Sequence, residues 1–248
     1  MAEKSYPGLM RTAFPAAGAL ILGLVGGAGA SWLGLARSGS DEAIRSYLLE
    51  HPEVIPEAMD RLQAKDVAAR LAPIEAEVKR PFPGALLGNP HGSRVLVEFS
   101  DFACTYCRAS LAEVDALIAA DPELKVVIRE FPILSEQSTA AARMALAAAE
   151  QGLYPAFHRA MYELGPPSPA SIEAAAKKAG LDLDRAAKVA ASEAASNEIA
   201  RNLAIAERLS FSGTPSWVAG KQAFSGAVPR DVLADALAAD TSATDKGV

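Results

Sequence analysis

The only two cysteines of the chain, Cys104 and Cys107, are separated by two residues and lie where a strand-like segment meets a helix-like one. The preceding run, Arg94–Phe99, is rich in β-branched and aromatic residues, which predicts a strand buried on both faces. Apolar residues then recur at helical spacing from Cys107 to Ile118. We therefore predict that Cys104 begins a helix, with its sulfur at the positive end of the helix dipole.

A cysteine in that position is suited to redox chemistry. Its pKa can fall from about 8.5 to between roughly 3.5 and 7.5, so Cys104 is the predicted nucleophile and Cys107, one turn further on, the resolving thiol. A structural zinc site is disfavoured because it needs four ligands, and His51, His91 and His158 are far apart in sequence. A purely structural disulfide is also disfavoured, since it would close almost no loop. No metal site is predicted.

Three motifs, in this order along the chain, resemble those of the DsbA-like periplasmic oxidoreductases of the thioredoxin superfamily. They are Val97–Cys107 (VEFSDFACTYC), Arg129–Leu134 (REFPIL) and Gly213–Val218 (GTPSWV). The resemblance covers about Pro83 to Ala239. It implies an α/β thioredoxin fold with an inserted helical subdomain at about residues 135–210, inside a domain over residues 81–240. It implies no cofactor.

The resemblance also assigns a role to Glu98. In the family a buried acidic residue at this position relays protons for the inner cysteine, here Cys107. A carboxylate in a strand buried on both faces is costly unless it is used or paired, and burial would raise its pKa towards the working range. The alternative is a glutamate at a sheet edge that reaches solvent.

A substrate-binding set follows from the same comparison. In the superfamily the peptide bond at Thr214–Pro215 is cis and lies beside the redox cysteines, where the backbone of Thr214 can pair with an extended substrate. Thr105 and Tyr106, between the cysteines, complete the predicted set. Strong oxidases of the family usually carry Pro-His there, and the histidine helps to hold the thiolate. Its absence predicts a less oxidising protein, and isomerase or reductase activity stays open.

The N-terminal segment, residues 1–37, is interpreted as a targeting segment. Lys4 and Arg11 precede an uncharged stretch, Thr12–Ala36, that is long enough to span a bilayer with its basic flank in the cytoplasm. We interpret it as a signal anchor in the inner membrane; a cleaved signal peptide is the alternative, because Ala28–Ala30 fits a cleavage site. Either outcome places the cysteines in the periplasm, membrane-anchored or soluble, where disulfides persist.

Residues 38–80 are predicted to form a helical extension. Its second helix has an apolar stripe at Ile55, Met59 and Leu62. The stretch Ser46–Val54 resembles the N-terminal extension of some multimeric DsbA-like disulfide isomerases, in which it mediates self-association. A homo-oligomer is one interpretation, and a spacer helix that packs on its own domain is the other.

Further elements follow from turn signals and periodicity. Strands are predicted at Ala85–Leu87 and Leu124–Phe131, a hairpin turn at Gly220-Lys221, a closing helix over Arg230–Ala239 and a flexible tail over residues 241–248. The helical block between them includes a helix bounded by Ser168-Pro169 and Gly180, and one that Asp182 can cap. Its last helix has an apolar stripe at Ile199, Leu203, Ala206 and Leu209.

The predicted function is thiol-disulfide oxidoreductase, acting through Cys104 and Cys107 to form, isomerise or reduce disulfides in extracytoplasmic proteins. Its partners would be cysteine-containing protein substrates and a membrane redox partner that recycles the disulfide. A net charge of −6 without a basic cluster argues against nucleic acid. Two alternatives are a chaperone-like peptide-binding module, in which the thiols are incidental, and a protein that handles a soft metal such as Cu(I).

Overall fold

The computed structural model describes residues 41–244, excluding the side chains of Asp60 and of residues 241–244. The chain divides into two compact units, one up to Asp60 and the other from Arg61 onward. The predicted signal or anchor segment, residues 1–37, lies outside the described residues. Among the described helices, none is both long and apolar enough to cross a membrane.

The first unit is helical and carries apolar side chains on its surface. Helix α1 covers residues 41–50, and helix α2, Val54–Leu71, begins in this unit after a break at Pro52. The large apolar residues that are exposed in the described part of the unit are Ile44, Tyr47, Leu49, Ile55 and Met59. The three apolar residues predicted to form a stripe on the second helix, Ile55, Met59 and Leu62, all lie on α2 and are exposed.

The second unit contains a sheet and the remaining helices. In chain order these elements are a 3₁₀ turn at Ala72–Ile74, α3 Glu75–Lys79, β1 Leu86–Gly88, β2 Arg94–Ser100, α4 Thr105–Ala120, β3 Leu124–Glu130, α5 Glu136–Glu150, α6 Tyr154–Leu164, α7 Pro169–Ala179, α8 Leu183–Ala190, α9 Glu193–Arg208, β4 Ser216–Ala219, β5 Gln222–Ser225 and α10 Arg230–Thr244. The predicted strands agree with β1, β2 and β3 to within one residue at each end.

The five strands form one mixed sheet in the order β1-β3-β2-β4-β5. Only β2 and β3 run parallel, and α4 connects them; the other neighbours are antiparallel. Strand β2 is central, which explains why its apolar run is nearly continuous, as predicted. The cysteine pair follows its carboxyl end.

Alternate residues of β2 face opposite sides of the sheet. Leu96 packs in a cluster with α4, α6 and α10, and Glu98 and Ser100 share its face. Val97 and Phe99 pack on the other side with buried residues of the chain around α2, α3 and α9. Burying each large apolar side chain contributes about 1.5–3 kcal/mol, so both faces hold β2 firmly beneath the cysteines.

The helices α5–α9 lie between β3 and β4 in sequence, as predicted for a helical insertion. Ser168 caps α7 in a capping box, Gly180 ends it in the left-handed conformation with φ +82°, and the Asp182 side chain caps α8. These boundaries confirm the sequence signals. The predicted stripe of α9 is wrong at Leu203, which is exposed, whereas Asn202 is buried.

A buried arginine ties this insertion to the sheet. The Arg129 guanidinium donates to Glu198 Oε1 at 2.9 Å and to Asn202 Oδ1 at 2.7 Å, both on α9. It also donates to the carbonyl oxygens of Val78 and Arg80, at 3.2 and 2.6 Å. Removing one partner of a buried pair of this kind costs about 3–5 kcal/mol, so Arg129 joins the end of α3, β3 and α9 into one body.

The C-terminal part differs from the prediction in one respect. The hairpin turns at Gly220 and Lys221 as predicted; at Gly220 φ is +58°, and a Cβ would lie only 2.8 Å from the Ala236 carbonyl oxygen. Helix α10, however, continues through Thr244, past the predicted end at Ala239. Residues 241–244 thus belong to α10, and the flexibility predicted for residues 241–248 stays a prediction. Neither glycine nor proline interrupts the chain there.

Candidate active site

Cys104 is the N-cap residue of α4. Its backbone is extended, with φ −79° and ψ 120°, and its Sγ accepts a hydrogen bond from the Cys107 N–H at 3.4 Å. Both cysteines are free thiols. Both are buried; Cys104 is 7% exposed and Cys107 1%, so Cys104 is the more accessible residue of the two. The predicted start of the helix is confirmed.

The Thr214–Pro215 segment lies against Cys104. This peptide bond is cis, and the Cys104 thiol donates to the Thr214 carbonyl oxygen at 3.2 Å. Pro215 is buried and directly precedes β4. Thr214 Oγ1 is also buried, and it has no hydrogen-bond partner within the described structure. The fold thus brings together two predicted segments that lie more than a hundred residues apart.

Several side chains near the cysteine turn in sequence, or linked to it through Asp101, are exposed. Thr105 is exposed and Tyr106 is 64% exposed, at the start of α4. Ile133 and Leu134 are exposed as well, in the loop that follows β3. Exposed apolar side chains are therefore present on both segments.

Asp101 fixes the relation between this loop and the cysteine turn. Its Oδ1 accepts from the Ala103 N–H at 2.8 Å, and its Oδ2 accepts from the N–H groups of Ile133 and Leu134, each at 2.9 Å. The Asp101 carbonyl oxygen accepts from the Cys104 N–H at 2.9 Å. Sequence reasoning assigned Asp101 no role. The signal was an aspartate just after a strand, since aspartate side chains often accept from the backbone N–H two residues later.

Glu98 and Cys107 form the buried, titratable part of the site. Glu98 is 3% exposed, and desolvation raises its pKa to about 8, against a hydrogen bond from Ser100 that lowers it. Desolvation also raises the pKa of Cys107, and the nearby Glu98 raises it further; hydrogen bonds from Ser100 and the Asp101 backbone oppose this rise. Cys107 is therefore a neutral thiol that must lose its proton before it can react.

A second buried acid lies close to the first. Desolvation raises the pKa of Glu130 to about 8, and the Tyr154 hydroxyl donates to its Oε1 at 2.7 Å. The nearby Tyr162 hydroxyl lies 2.8 Å from Ser100 Oγ. Sequence reasoning assigned no role to Glu130 or to these tyrosines. The signal that could have identified Glu130 was its position at the end of a buried strand, within the Arg129–Leu134 motif that resembles the DsbA-like family.

His158 packs next to the site, and its Nε2 has no hydrogen-bond partner within the described structure. It is buried against the rings of Phe102, Tyr154 and Tyr162, and desolvation lowers its pKa to about 4. It is therefore neutral at physiological pH, and we assign it no chemistry. Across the described part of the chain, no three or more His, Cys, Asp or Glu side chains come close enough together to hold a metal ion.

Comparison with known families agrees with this geometry. Residues 95–238 match the family described as the DSBA-like thioredoxin domain, and the chain belongs to that family of thiol-disulfide oxidoreductases. The fold is accordingly thioredoxin-like. Residues 41–69 match a second family, described as the N-terminal domain of the copper resistance protein ScsC.

Solved structures give the same result. A thioredoxin-like oxidoreductase from Silicibacter pomeroyi is 40% identical, with 63% of this chain and 91% of that chain covered and a TM-score of 0.61. A periplasmic thioredoxin-like protein from Salmonella enterica serovar Typhimurium is 26% identical, with 68% and 96% covered and a TM-score of 0.60. The thiol-disulfide exchange protein alpha-DsbA2 from Wolbachia pipientis is 25% identical, with 72% and 97% covered and a TM-score of 0.63.

The curated relatives are much longer proteins. The Na(+)/H(+) antiporter NhaA 3 of Salinispora tropica is 33% identical over 128 residues, which make up 49% of this chain and 19% of the antiporter. A second NhaA antiporter matches over 22% of its length. The chain thus spans about a fifth of the length of the curated relatives it matches.

Proposed function

We propose that this protein forms, isomerises or reduces disulfide bonds of extracytoplasmic proteins through Cys104 and Cys107. The observation that carries the proposal is the position of the Cys104 sulfur. It caps α4, accepts from the Cys107 N–H at 3.4 Å and lies 3.2 Å from the Thr214 carbonyl oxygen. Negative charge on sulfur is stabilised at a helix N-terminus by the dipole and the unpaired N–H groups.

The proposed reaction is thiol-disulfide exchange in two steps. The Cys104 thiolate attacks a substrate disulfide, one substrate sulfur leaves as a thiolate, and a mixed disulfide forms. Cys107 then attacks the Cys104 sulfur, which releases the second substrate thiolate and leaves a Cys104–Cys107 disulfide. Glu98, in its ionised form, takes the proton of Cys107; with its pKa raised to about 8 this form is a minority at pH 7. Each step is reversible, so the same atoms serve oxidation of a substrate dithiol.

Substrate binding is proposed at the surface around Cys104. The cis Thr214–Pro215 segment lies against the reacting sulfur, where it can align an extended substrate backbone. The exposed side chains of Thr105 and Tyr106, together with the apolar surface after β3, would contact substrate side chains.

The favoured direction follows from the residues between the cysteines. Thr105 and Tyr106 supply no imidazole to hold the thiolate, so the reduced form is less favoured than in the strong oxidases that the sequence resembles. Among the three activities, we propose on this ground that isomerase or reductase activity is favoured over disulfide formation. The equilibrium reduction potential of the purified domain measures it, and a strongly oxidising value would contradict it.

Location and assembly are part of the proposal. We propose that the domain over residues 81–240 lies on the periplasmic side of the inner membrane, and one relative is itself described as periplasmic. Residues 1–37 would either anchor it in the membrane or be cleaved off. A membrane redox partner would recycle the disulfide.

Self-association through residues 38–80 is supported by the exposed apolar residues of α1 and by the resemblance of Ser46–Val54 to the extension of multimeric DsbA-like isomerases. Sedimentation of the protein and of a variant in which the exposed Ile44, Tyr47 and Leu49 of α1 are changed to Ser tests the assembly without removing the buried part of the extension.

The central experiment is to trap the mixed disulfide. A Cys107→Ala variant, expressed in the periplasm, is expected to accumulate adducts with client proteins that a reductant releases. A Cys104→Ala/Cys107→Ala variant is the control and should form none. Adducts absent from both variants would contradict the proposal. Client binding that survives Cys104→Ser would favour a chaperone-like module, and tight Cu(I) uptake without adducts would favour metal handling.

A further inference from the structure

We infer that a cleft in the helical insertion binds a small amphipathic carboxylate, that is, an apolar chain with one anionic end. The cleft lies between α5, α7 and α8 and has a volume of about 470 Å³. Ligand pockets in proteins typically have volumes of about 300–1,000 Å³ and mostly apolar walls. Neither cysteine lines this cleft, so the site concerns a function beyond thiol-disulfide exchange.

The walls of the cleft are mostly apolar. All three helices contribute to this lining, which consists of Ala140, Met144, Pro169, Ile172, Leu183 and Ala190. Ile172 is buried and Leu183 half-buried, whereas Ala140 and Pro169 are exposed, so the cleft opens to solvent at the latter two residues. An alkyl chain that packs on this lining is removed from water, which is favourable in proportion to the apolar area that it buries.

One cation, Arg143, also lines the cleft. Its guanidinium donates to the Ala190 carbonyl oxygen at 2.8 Å and to Ser196 Oγ at 3.0 Å, and these two bonds hold it in place. Both acceptors are uncharged. A guanidinium has five N–H groups and can bind a carboxylate through two of them at once. Arg143 can therefore keep both bonds and still bind the anionic end of a ligand.

Arg143 differs from the other arginines of the described chain that are not exposed. Arg94 pairs with Asp121, and the buried Arg129 pairs with Glu198. The half-buried Arg143 forms no ion pair with any of the described residues, although a charge withdrawn from water is normally paired. A ligand carboxylate in the cleft would supply the missing counter-charge.

The second charged residue that lines the cleft does not cancel this positive charge. Glu173 is exposed on α7, and the Lys177 ammonium one turn later donates to its carboxylate. The charge of Glu173 is thus offset within its own helix, and Arg143 determines the sign of the charge that the cleft attracts. This arrangement favours an anion over a cation or a neutral alcohol with the same chain.

The test uses a photoreactive ligand, because its point of attachment can be mapped along the chain. Decanoate that carries a diazirine near the end of its alkyl chain is added to the purified full-length protein and illuminated. Mass spectrometry of peptides then locates the label, and its concentration dependence gives the apparent Kd at the cleft. The corresponding alcohol, with the same chain and diazirine but no charge, is the matched probe.

Two variants change the cleft in different ways. Arg143→Gln keeps an amide donor for the Ala190 carbonyl oxygen and removes the charge. Ala140→Phe fills the cleft from an exposed position and leaves Arg143 in place. Their matched controls are Arg159→Gln, at an exposed arginine of α6, and Ala174→Phe, at an exposed alanine of α7; neither residue lines this cleft.

The wild-type protein should be labelled saturably on α5, α7 or α8, more tightly by the carboxylate probe than by the alcohol, and excess decanoate should suppress the label. Arg143→Gln should raise the apparent Kd of the carboxylate probe by about tenfold, because charge-assisted hydrogen bonds are roughly twice as strong as neutral ones, and should leave that of the alcohol unchanged. Ala140→Phe should weaken both probes. The two controls should behave as wild type, and thermal unfolding checks that every variant is folded.

Three results would overturn the inference. They are labelling that does not saturate or is spread over the whole surface, equal apparent Kd values of the two probes in wild type, and a folded Arg143→Gln variant that binds the carboxylate probe as wild type does. If Arg143→Gln does not fold, the comparison of the two probes and the Ala140→Phe variant still decide. None of these measurements involves the cysteines, so failure of the proposed function would be seen separately.

Discussion

The Cys104 sulfur lies 3.2 Å from the carbonyl oxygen of Thr214. The N-cap residue of α4 is thus in contact with the residue that precedes the cis proline. The side-chain hydroxyl of Thr214 takes no part in this contact. Its Oγ1 is buried, and it has no hydrogen-bond partner within residues 41–240. A buried hydroxyl without a partner is destabilising by about 1–3 kcal/mol.

Thr214→Val is therefore expected to raise the free energy of unfolding by about 1 kcal/mol, because valine has the same shape without the unpaired hydroxyl. Urea unfolding of the reduced protein measures the change. Thr214→Ser is the comparison: it keeps the hydroxyl and removes the methyl group, and should lower stability. A Thr214→Val variant less stable than wild type would show that Oγ1 has a partner.

Asp101 gives the second prediction. Its carboxylate accepts three backbone hydrogen bonds, from Ala103, Ile133 and Leu134, while it is almost fully buried. Asp101→Asn leaves a single acceptor oxygen and places an amide donor where N–H groups converge. Since hydrogen bonds to a charged group contribute about 1.5–3 kcal/mol each, we expect a loss of about 2–4 kcal/mol in the free energy of unfolding.

The matched control for that variant is Asp115→Asn. Asp115 is 46% exposed and pairs with Arg159 at 3.0 Å on the surface, where such pairs contribute about 0–1 kcal/mol. Chemical denaturation of both variants gives the comparison. Equal losses for the two would mean that the Asp101 bonds do not fix the loop after β3.

The parts of the site that local sequence determines could be predicted. The cap at Cys104 follows from a strand-like run that gives way to helical spacing, and both signals lie within a few residues of the cysteine. The segment at Thr214–Pro215 could be identified only through family resemblance. Nothing local in the sequence places it beside Cys104, from which 110 residues separate it.

The buried polar groups could not be predicted, because their partners come from distant elements. Ser100 meets Tyr162, 62 residues later, only after α6 packs on the sheet. Likewise Asn202 is buried in α9 because its amide donates to the Glu130 carbonyl oxygen at 3.1 Å, whereas the periodicity favoured Leu203 for that face. A buried carbonyl oxygen needs a hydrogen-bond donor, so a polar residue is favoured over an apolar one at this position of α9.

The last prediction concerns the pH dependence of stability. Desolvation raises the pKa of Glu98 to about 8 in the folded protein, from 4.5 when exposed. The folded state thus holds a proton that the unfolded state loses between these values. The stability that this proton contributes is complete below pH 4.5, and it is lost as pH rises towards 8.

Glu98→Gln keeps a hydrogen-bonding side chain and removes the ionisation. The variant is therefore expected to be increasingly more stable than wild type as pH rises from about 5 to 8, with a difference of a few kcal/mol at the upper end and little further change beyond it. Thermal unfolding across this range measures it. Glu173→Gln is the control: Lys177 lowers the pKa of that exposed carboxyl below 4.5, so it is ionised throughout this range and the difference between this variant and wild type should stay constant. A constant difference between Glu98→Gln and wild type across this range would mean that Glu98 does not titrate there, and it could then exchange no proton with Cys107 at neutral pH.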